Sequence, residues 1–405
     1  MMSRERVEAQ LEVGDRTGNP GYAPARLVME RGQGMYLFDT EGRQYLDFLA
    51  GIAVNCLGHC HPKVVEAIQG QAARLMQVSN TFFSDVQIRV QEKLTRVSFG
   101  DRVYLCNSGA EANEAAIKLA RRRQRVVLGQ TGRSTIITFK GSFHGRTLAA
   151  ITATGQPKYH EGFEPLMPGF VYASFNDLGS VEALIGEDTV AVMVEPIQGE
   201  GGMVPAAPGF LEGLRALCDA HGALLIFDEV QTGMGRTGRM FAYEGYGVVP
   251  DIMTVAKGLG GGVPIGAMVS TEEVFKGFVR GSHASTFGGN PVMCAAAEVV
   301  LDELARPGFL ERVVEVGGYL KERLEGLESA IPIKEVRGVG LMVGAEVGGQ
   351  AGRIVERARE LGLILNTAGG EVLRFVPPLI VERGDVDRAM ELLVAAMGDV
   401  AASGA

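Results

Sequence analysis

The chain has 405 residues, 46% hydrophobic and 21% charged, the make-up of a soluble globular protein long enough for two or three domains around a large core. Its net charge of −9 argues against a nucleic-acid partner, since phosphate backbones select basic faces. No stretch approaches the ~18 apolar residues of a membrane span, Met1–Arg6 hold no apolar signal core, and five scattered cysteines make no disulfide framework, so a cytoplasmic protein is expected.

In chain order, residues 27–48 read as small β-hairpins: Leu27 to Arg31 and Met35 to Asp39 flank Gly32-Gln-Gly34, and residues 40–43 make the next turn. A helix follows Pro62, near residues 63–77, and another starts after Ser84 or Asp85. From about residue 100 the chain alternates. Strand-like runs cover residues 103–106, 135–139, 190–195, 223–228, 252–256 and 266–269, with helical patterns at 111–123 and 209–221. The basic run Arg121–Arg125 ends the first of these helices, where cations complement the dipole, and reads as a solvated helix end. A long helix begins near Val292 and is broken by Pro307-Gly308. Beyond it lie strands at 336–347, 363–365 and 372–376 and helices near 310–328, 351–360 and 385–397.

This βα alternation argues an α/β fold: a large domain (59–306) with a mostly parallel central sheet, then a smaller α+β domain (307–405). The N-terminal segment (1–58) lacks a core of its own and is expected to pack with the small domain.

Two strand-like runs end in charged residues that suggest chemistry. Residues 223–228 end in Asp228, and residues 252–256 lead into Lys257, followed at once by a glycine-rich loop. In open α/β sheets the ligand sits beyond the carboxyl ends of the strands, so the two side chains can converge on one molecule. A lysine amine for a Schiff base and a carboxylate for a pyridine nitrogen are what pyridoxal 5′-phosphate chemistry requires. Taken singly, Asp228 is equally a turn aspartate and Lys257 a strand-end lysine reaching solvent. Asn107–Glu114 forms a strand-to-helix turn of small residues suited to a phosphate, although Ser108 with Glu111 also fits an ordinary capping box. Phe143 could stack on a heteroaromatic ring and Arg146 clamp a carboxylate, or both could be surface loop residues. Glu195 ends another buried run, and Glu200 sits on a glycine-rich loop. Arg374, on an apolar strand of the second domain, calls for a carboxylate from a substrate, from Glu200, or from within its own domain. Gly233–Gly238 imitates a dinucleotide fingerprint but opens no apolar helix. Cys56, His59, Cys60 and His61 are crowded, yet adjacent positions cannot all face one ion, so no metal is expected.

These motifs resemble the class III aminotransferases of pyridoxal-phosphate fold type I, from about Tyr22 to Arg374. The residues that carry the likeness are 107–114, 143–147, 195–202, 227–231, 256–258 and 286–291, and within the class the acetylornithine type is the most similar. The resemblance implies a role for each position. Lys257 would be the Schiff-base residue, Asp228 the partner of the pyridine nitrogen, Gln231 a neighbour of the phenolic oxygen and Phe143 the stacking ring. Glu195 belongs to the same cofactor-binding set. Ser108, Gly109 and Ala110 would hold the phosphate, joined by Thr286 from the other subunit of a homodimer. Arg146, Glu200, Arg374 and Tyr22 would bind substrate, with Glu200 covering Arg374 when an ω-amine occupies the site. The implied reaction moves the δ-amino group of N2-acetyl-L-ornithine to 2-oxoglutarate, and N-succinyl-diaminopimelate is a related donor. The alternatives are another ω-amine donor (ornithine, 4-aminobutyrate, lysine or a carrier-linked semialdehyde), a racemase or aminomutase on the same scaffold, a NAD-dependent oxidoreductase reading Gly233–Gly238, or a non-catalytic binding protein.

Overall fold

The buried runs assemble into one seven-stranded sheet. In the computed structural model, which describes residues 2–403, its strands are Arg102–Cys106 (β1), Thr135–Phe139 (β2), Phe170–Ala173 (β3), Thr189–Val194 (β4), Leu224–Asp228 (β5), Ile252–Val255 (β6) and Gly266–Ser270 (β7). They lie in the order β1-β7-β6-β5-β4-β2-β3. Only β7 runs against its neighbours, so the sheet is mostly parallel, as the sequence pattern implies. The strand β3 carries no sequence signal, because it is a short edge strand only partly buried.

Both faces of the sheet are covered, and this is why the central strands read as unbroken apolar runs. Along β5, Leu225 and Phe227 join one core, while Leu224 and Ile226 join the other together with Ala115, Ala116 and Leu119 of the helix Gly109–Arg122. Alanines on that helix let it lie close to the sheet. Strand periodicity then sets two polar side chains on the same side: Asp228 shares the parity of Ile226, and Thr254 that of Ile252, so both face this helix.

The C-terminal part holds a four-stranded antiparallel sheet of Glu335–Val339, Met342–Glu346, Val372–Phe375 and Asn366–Ala368. The single strand expected over 336–347 is instead a hairpin, because Gly340 turns at φ +57°. Space as well as conformation demands glycine there: a Cβ would come within 2.6 Å of the Thr237 backbone. The strands Met29–Gln33, Tyr36–Asp39 and Gln44–Asp47 form a separate sheet whose last member is the C-terminal strand Leu363–Ile364. An N-terminal helix, Arg4–Thr17, has no apolar stripe and buries only Val7, so periodicity does not reveal it. The basic run after residue 120 is not simply solvated. Arg121 donates to the Pro168 carbonyl at 2.7 Å and lies over the Phe170 ring, and burial lowers its pKa. No helix of the described residues is long and apolar enough to cross a membrane.

Candidate active site

A cavity of about 500 Å³ opens at the carboxyl ends of β5 and β6. Ser108, Gly109, Ala110, Phe143, Arg146, Glu195, Asp228, Gln231 and Lys257 all line it, along with Asn113 and His144.

Asp228 is buried and held from three sides. Asn113 Nδ2 donates to it at 2.8 Å, His144 Nδ1 lies at 2.7 Å, and the Val230 amide donates at 3.0 Å. Asn113 is itself fixed, donating to the His144 carbonyl at 2.7 Å and accepting from Thr254 Oγ1 at 2.7 Å. A buried carboxylate anchored this way points in one direction. Asn113 and His144 lie within the 107–114 and 143–147 motifs but without an assigned role there, and Thr254 lies in no motif. Only the shared parity of Asp228 and Thr254 toward one helix signals that they meet.

Lys257 follows β6 with φ +40°, a left-handed conformation uncommon for a side-chain-bearing residue. The next residue must be small, since a Cβ on Gly258 would lie 3.0 Å from Met234 Cβ. The lysine is half-buried, and it meets the cavity with protein around it elsewhere. Burial holds its amine below the usual lysine pKa, and the charge of Arg374 adds to this, while Glu200, Asp228 and Glu195 oppose it. Glu195 moves the other way. Burial, with the nearby Asp228 charge, pushes it well above the ordinary carboxyl range, although the Phe143 amide donates to it at 3.0 Å.

Ser108 caps the helix, its Oγ accepting from the Glu111 amide at 3.2 Å, and it lines the cavity as well. Gly109 and Ala110 are the first two helical residues, so their N–H groups have no intrahelical acceptor, and both line the cavity. Gln231 Oε1 is buried with no partner among the described residues. Phe143 packs edge-on to Tyr159, and the Arg146 guanidinium lies 4.2 Å over the Tyr159 ring. Arg146 is exposed and meets no carboxylate among the described residues.

Four other candidates lie off the lining. Arg374 is 1% exposed, donates Nε to Asn366 Oδ1 at 2.8 Å, and pairs through Nη1 with Glu200. Thr286 is exposed, its carbonyl accepting from Gln77 Nε2, and Tyr22 is 75% exposed, so neither reaches the cavity of its own chain. In the crowded cysteine–histidine segment, His59 pairs with Asp47 at 2.7 Å and Cys56 Sγ donates to the Gly258 carbonyl at 3.1 Å.

The cavity can therefore accept an anion at the first turn of a helix, a cationic ring nitrogen at Asp228 and an electrophilic carbon at Lys257. Over residues 17–397 the sequence matches the Aminotransferase class-III family. It is 52% identical over 371 residues to the acetylornithine aminotransferase of Caldanaerobacter subterraneus subsp. tengcongensis, spanning 91% of this chain and 93% of that protein. Among solved structures, the N-acetylornithine aminotransferase of Stenotrophomonas maltophilia has a TM-score of 0.83 at 40% identity, covering 97% of this chain and 100% of the other. The ornithine aminotransferase of Toxoplasma gondii has a TM-score of 0.93 at 33% identity, covering 98% and 95%.

Proposed function

Since the chain belongs to the class III aminotransferases, we propose that it is a pyridoxal 5′-phosphate enzyme that moves the δ-amino group of N2-acetyl-L-ornithine to 2-oxoglutarate. The products are N-acetyl-L-glutamate 5-semialdehyde and L-glutamate. The observation that carries this reading is the convergence of Lys257 and the triply bonded Asp228 on one cavity that also receives the Gly109 and Ala110 amides.

The residues fit the cofactor. The free amides of Gly109 and Ala110 suit its phosphate, Asp228 its ring nitrogen, the unpartnered Gln231 Oε1 a polar ring substituent, and Phe143 its face. When bound, the group supplies a carbonyl for amine condensation and a cationic ring that withdraws electrons from the reacting carbon. The side chains do the rest. Asp228, unable to turn, keeps the ring nitrogen protonated. Lys257 Nζ, its pKa held below the usual lysine value by burial, stands at the cavity where it can take a proton from the substrate carbon bearing nitrogen and return it. Burial and the neighbouring Asp228 charge both favour the neutral form of Glu195.

Two cations serve the two substrates. Arg146, at the rim without a carboxylate partner among the described residues, is available for the α-carboxylate of acetylornithine. Arg374 is covered by Glu200, which suits a δ-amine with no carboxylate on its reacting carbon. Release of that pair frees Arg374 for the α-carboxylate of 2-oxoglutarate. A second copy of the chain completes the site. Phe83 is 91% exposed, Phe82 69% and Phe287 60%, on segments joined by the Gln77–Thr286 and Asn80–Ser285 hydrogen bonds. A homodimer burying this apolar surface would carry Thr286 toward the partner's phosphate site.

The test is a donor panel with 2-oxoglutarate: acetylornithine, N-succinyl-diaminopimelate, ornithine, lysine and 4-aminobutyrate. Acetylornithine is expected to exceed ornithine and 4-aminobutyrate in kcat/KM by at least about tenfold, or ~1.4 kcal/mol. The reverse order refutes the donor, and turnover without any keto acid refutes the transamination.

A further inference from the structure

The Gly233–Gly238 segment, with its nucleotide-like glycine spacing, packs against the C-terminal part of the chain. Gly235 turns at φ +83°, and a Cβ there would approach Leu379 to 3.0 Å and Leu310 to 3.1 Å. Gly238 abuts Val314 in the same manner. From the opposite side, Gly340 presses on the Thr237 backbone and the Leu341 amide donates to the Arg236 carbonyl at 3.0 Å. The glycines are thus needed for close backbone approach between two parts of the molecule.

Arg236 lies in the middle of this junction. It is 2% exposed, and its Nη1 donates to the carbonyls of Leu341 at 3.0 Å and Pro377 at 2.6 Å. No carboxylate pairs with it among the described residues, and Nη2 finds no acceptor there. Burial lowers its pKa to about 10, which leaves it charged near neutrality. Burying a cation on carbonyls alone is a costly choice for mere packing, which an apolar side chain would serve.

Its surroundings suggest what the cost secures. Pro377 stands three residues beyond Arg374. At the other end of the loop, Met234 packs on Gly258, next to Lys257. Cys56 closes the circuit, since its Sγ donates to the Gly258 carbonyl while its own carbonyl accepts from the Leu379 amide at 2.7 Å. One short loop therefore touches both the turn that carries Lys257 and the segment that carries Arg374.

We propose that Arg236 is a positioning residue that sets the separation between the Arg374 guanidinium and the Lys257 amine, and so selects acceptors bearing an α-carboxylate. The inference rests on the function proposed above. It is tested on the holoenzyme with Arg236→Gln and Arg236→Lys, the lysine variant keeping the charge and being the one to read should the neutral variant fail to fold. Three quantities are measured: KM for 2-oxoglutarate, calorimetric affinity for the unreactive dicarboxylate glutarate, and the amino-acceptor rate with a simple aldehyde lacking a carboxylate. The expected result is a rise of at least about tenfold in KM for 2-oxoglutarate, a matching loss of glutarate affinity, an aldehyde rate within about twofold of wild type, and a milder effect for lysine than for glutamine. Equal losses with both acceptors, or unchanged glutarate binding, would overturn it. A wild-type protein that transaminates no acceptor would instead overturn the function on which the inference rests.

Discussion

At the floor of the cavity, Asp228 is held by three hydrogen bonds, and Asn113, which supplies one of them, is secured by Thr254 and the His144 carbonyl. Away from the floor, Arg146 lies exposed across Tyr159, and Glu200 on its loop pairs with Arg374 of the C-terminal sheet. The floor groups come from strand ends and a helix locked to one core. The rim groups come from loops and from the C-terminal sheet. The contrast separates two tasks. Proton transfer and ring polarisation need fixed geometry, whereas exchange between a δ-amine and an α-keto acid needs groups that can be released.

The comparison breaks first if the floor tolerates change. Asp228→Asn keeps the shape but removes the charge, and kcat is expected to fall about 10²–10³-fold with every donor alike. A loss confined to one donor would move Asp228 from the floor to the specificity set.

The next largest effect concerns Glu229, whose carboxylate accepts from the Ala242 and Tyr243 amides at 2.6 and 2.8 Å, and whose pKa burial raises to about 7. Between the ordinary carboxyl value and about 7, the folded protein holds a proton that the unfolded chain has released. Stability should therefore fall as pH rises through that window, by up to about 3 kcal/mol from this group. Denaturant unfolding at pH 5 and pH 8 should show that part of the fall missing in Glu229→Gln.

The smallest effect belongs to the rim. Glu200→Gln removes the charge that covers Arg374, so kcat/KM for acetylornithine is expected to drop about tenfold while KM for 2-oxoglutarate does not rise. Equal losses for the two substrates, measured as separate half-reactions, would make Glu200 a structural partner rather than a releasable cover.

Legibility in the sequence divides along the same line. Asp228 and Lys257 stand where buried runs meet loops, and a charge at such a point is visible without a structure. The helix cap at Ser108 and the mostly parallel sheet are visible for similarly local reasons. The bonds of Asn113 and His144 to Asp228 span 115 and 84 residues, and no periodicity reports a pairing at that separation. Residues 336–347 read as one strand because a glycine in an apolar run shows its turn only once Thr237 is packed against it. The glycines of 233–238 look like half of a nucleotide site because their spacing records close backbone approach, not what approaches.

The central claim is that one lysine amine, the one at the end of β6, carries the chemistry. The direct measurement is borohydride reduction of the holoprotein followed by peptide mass mapping. A reduced pyridoxyl group is expected on Lys257 alone, and Lys257→Ala should lose both the label and at least about 10³-fold of the transamination rate. A label on a different lysine, or an alanine variant that still turns over at the wild-type rate, would contradict the account.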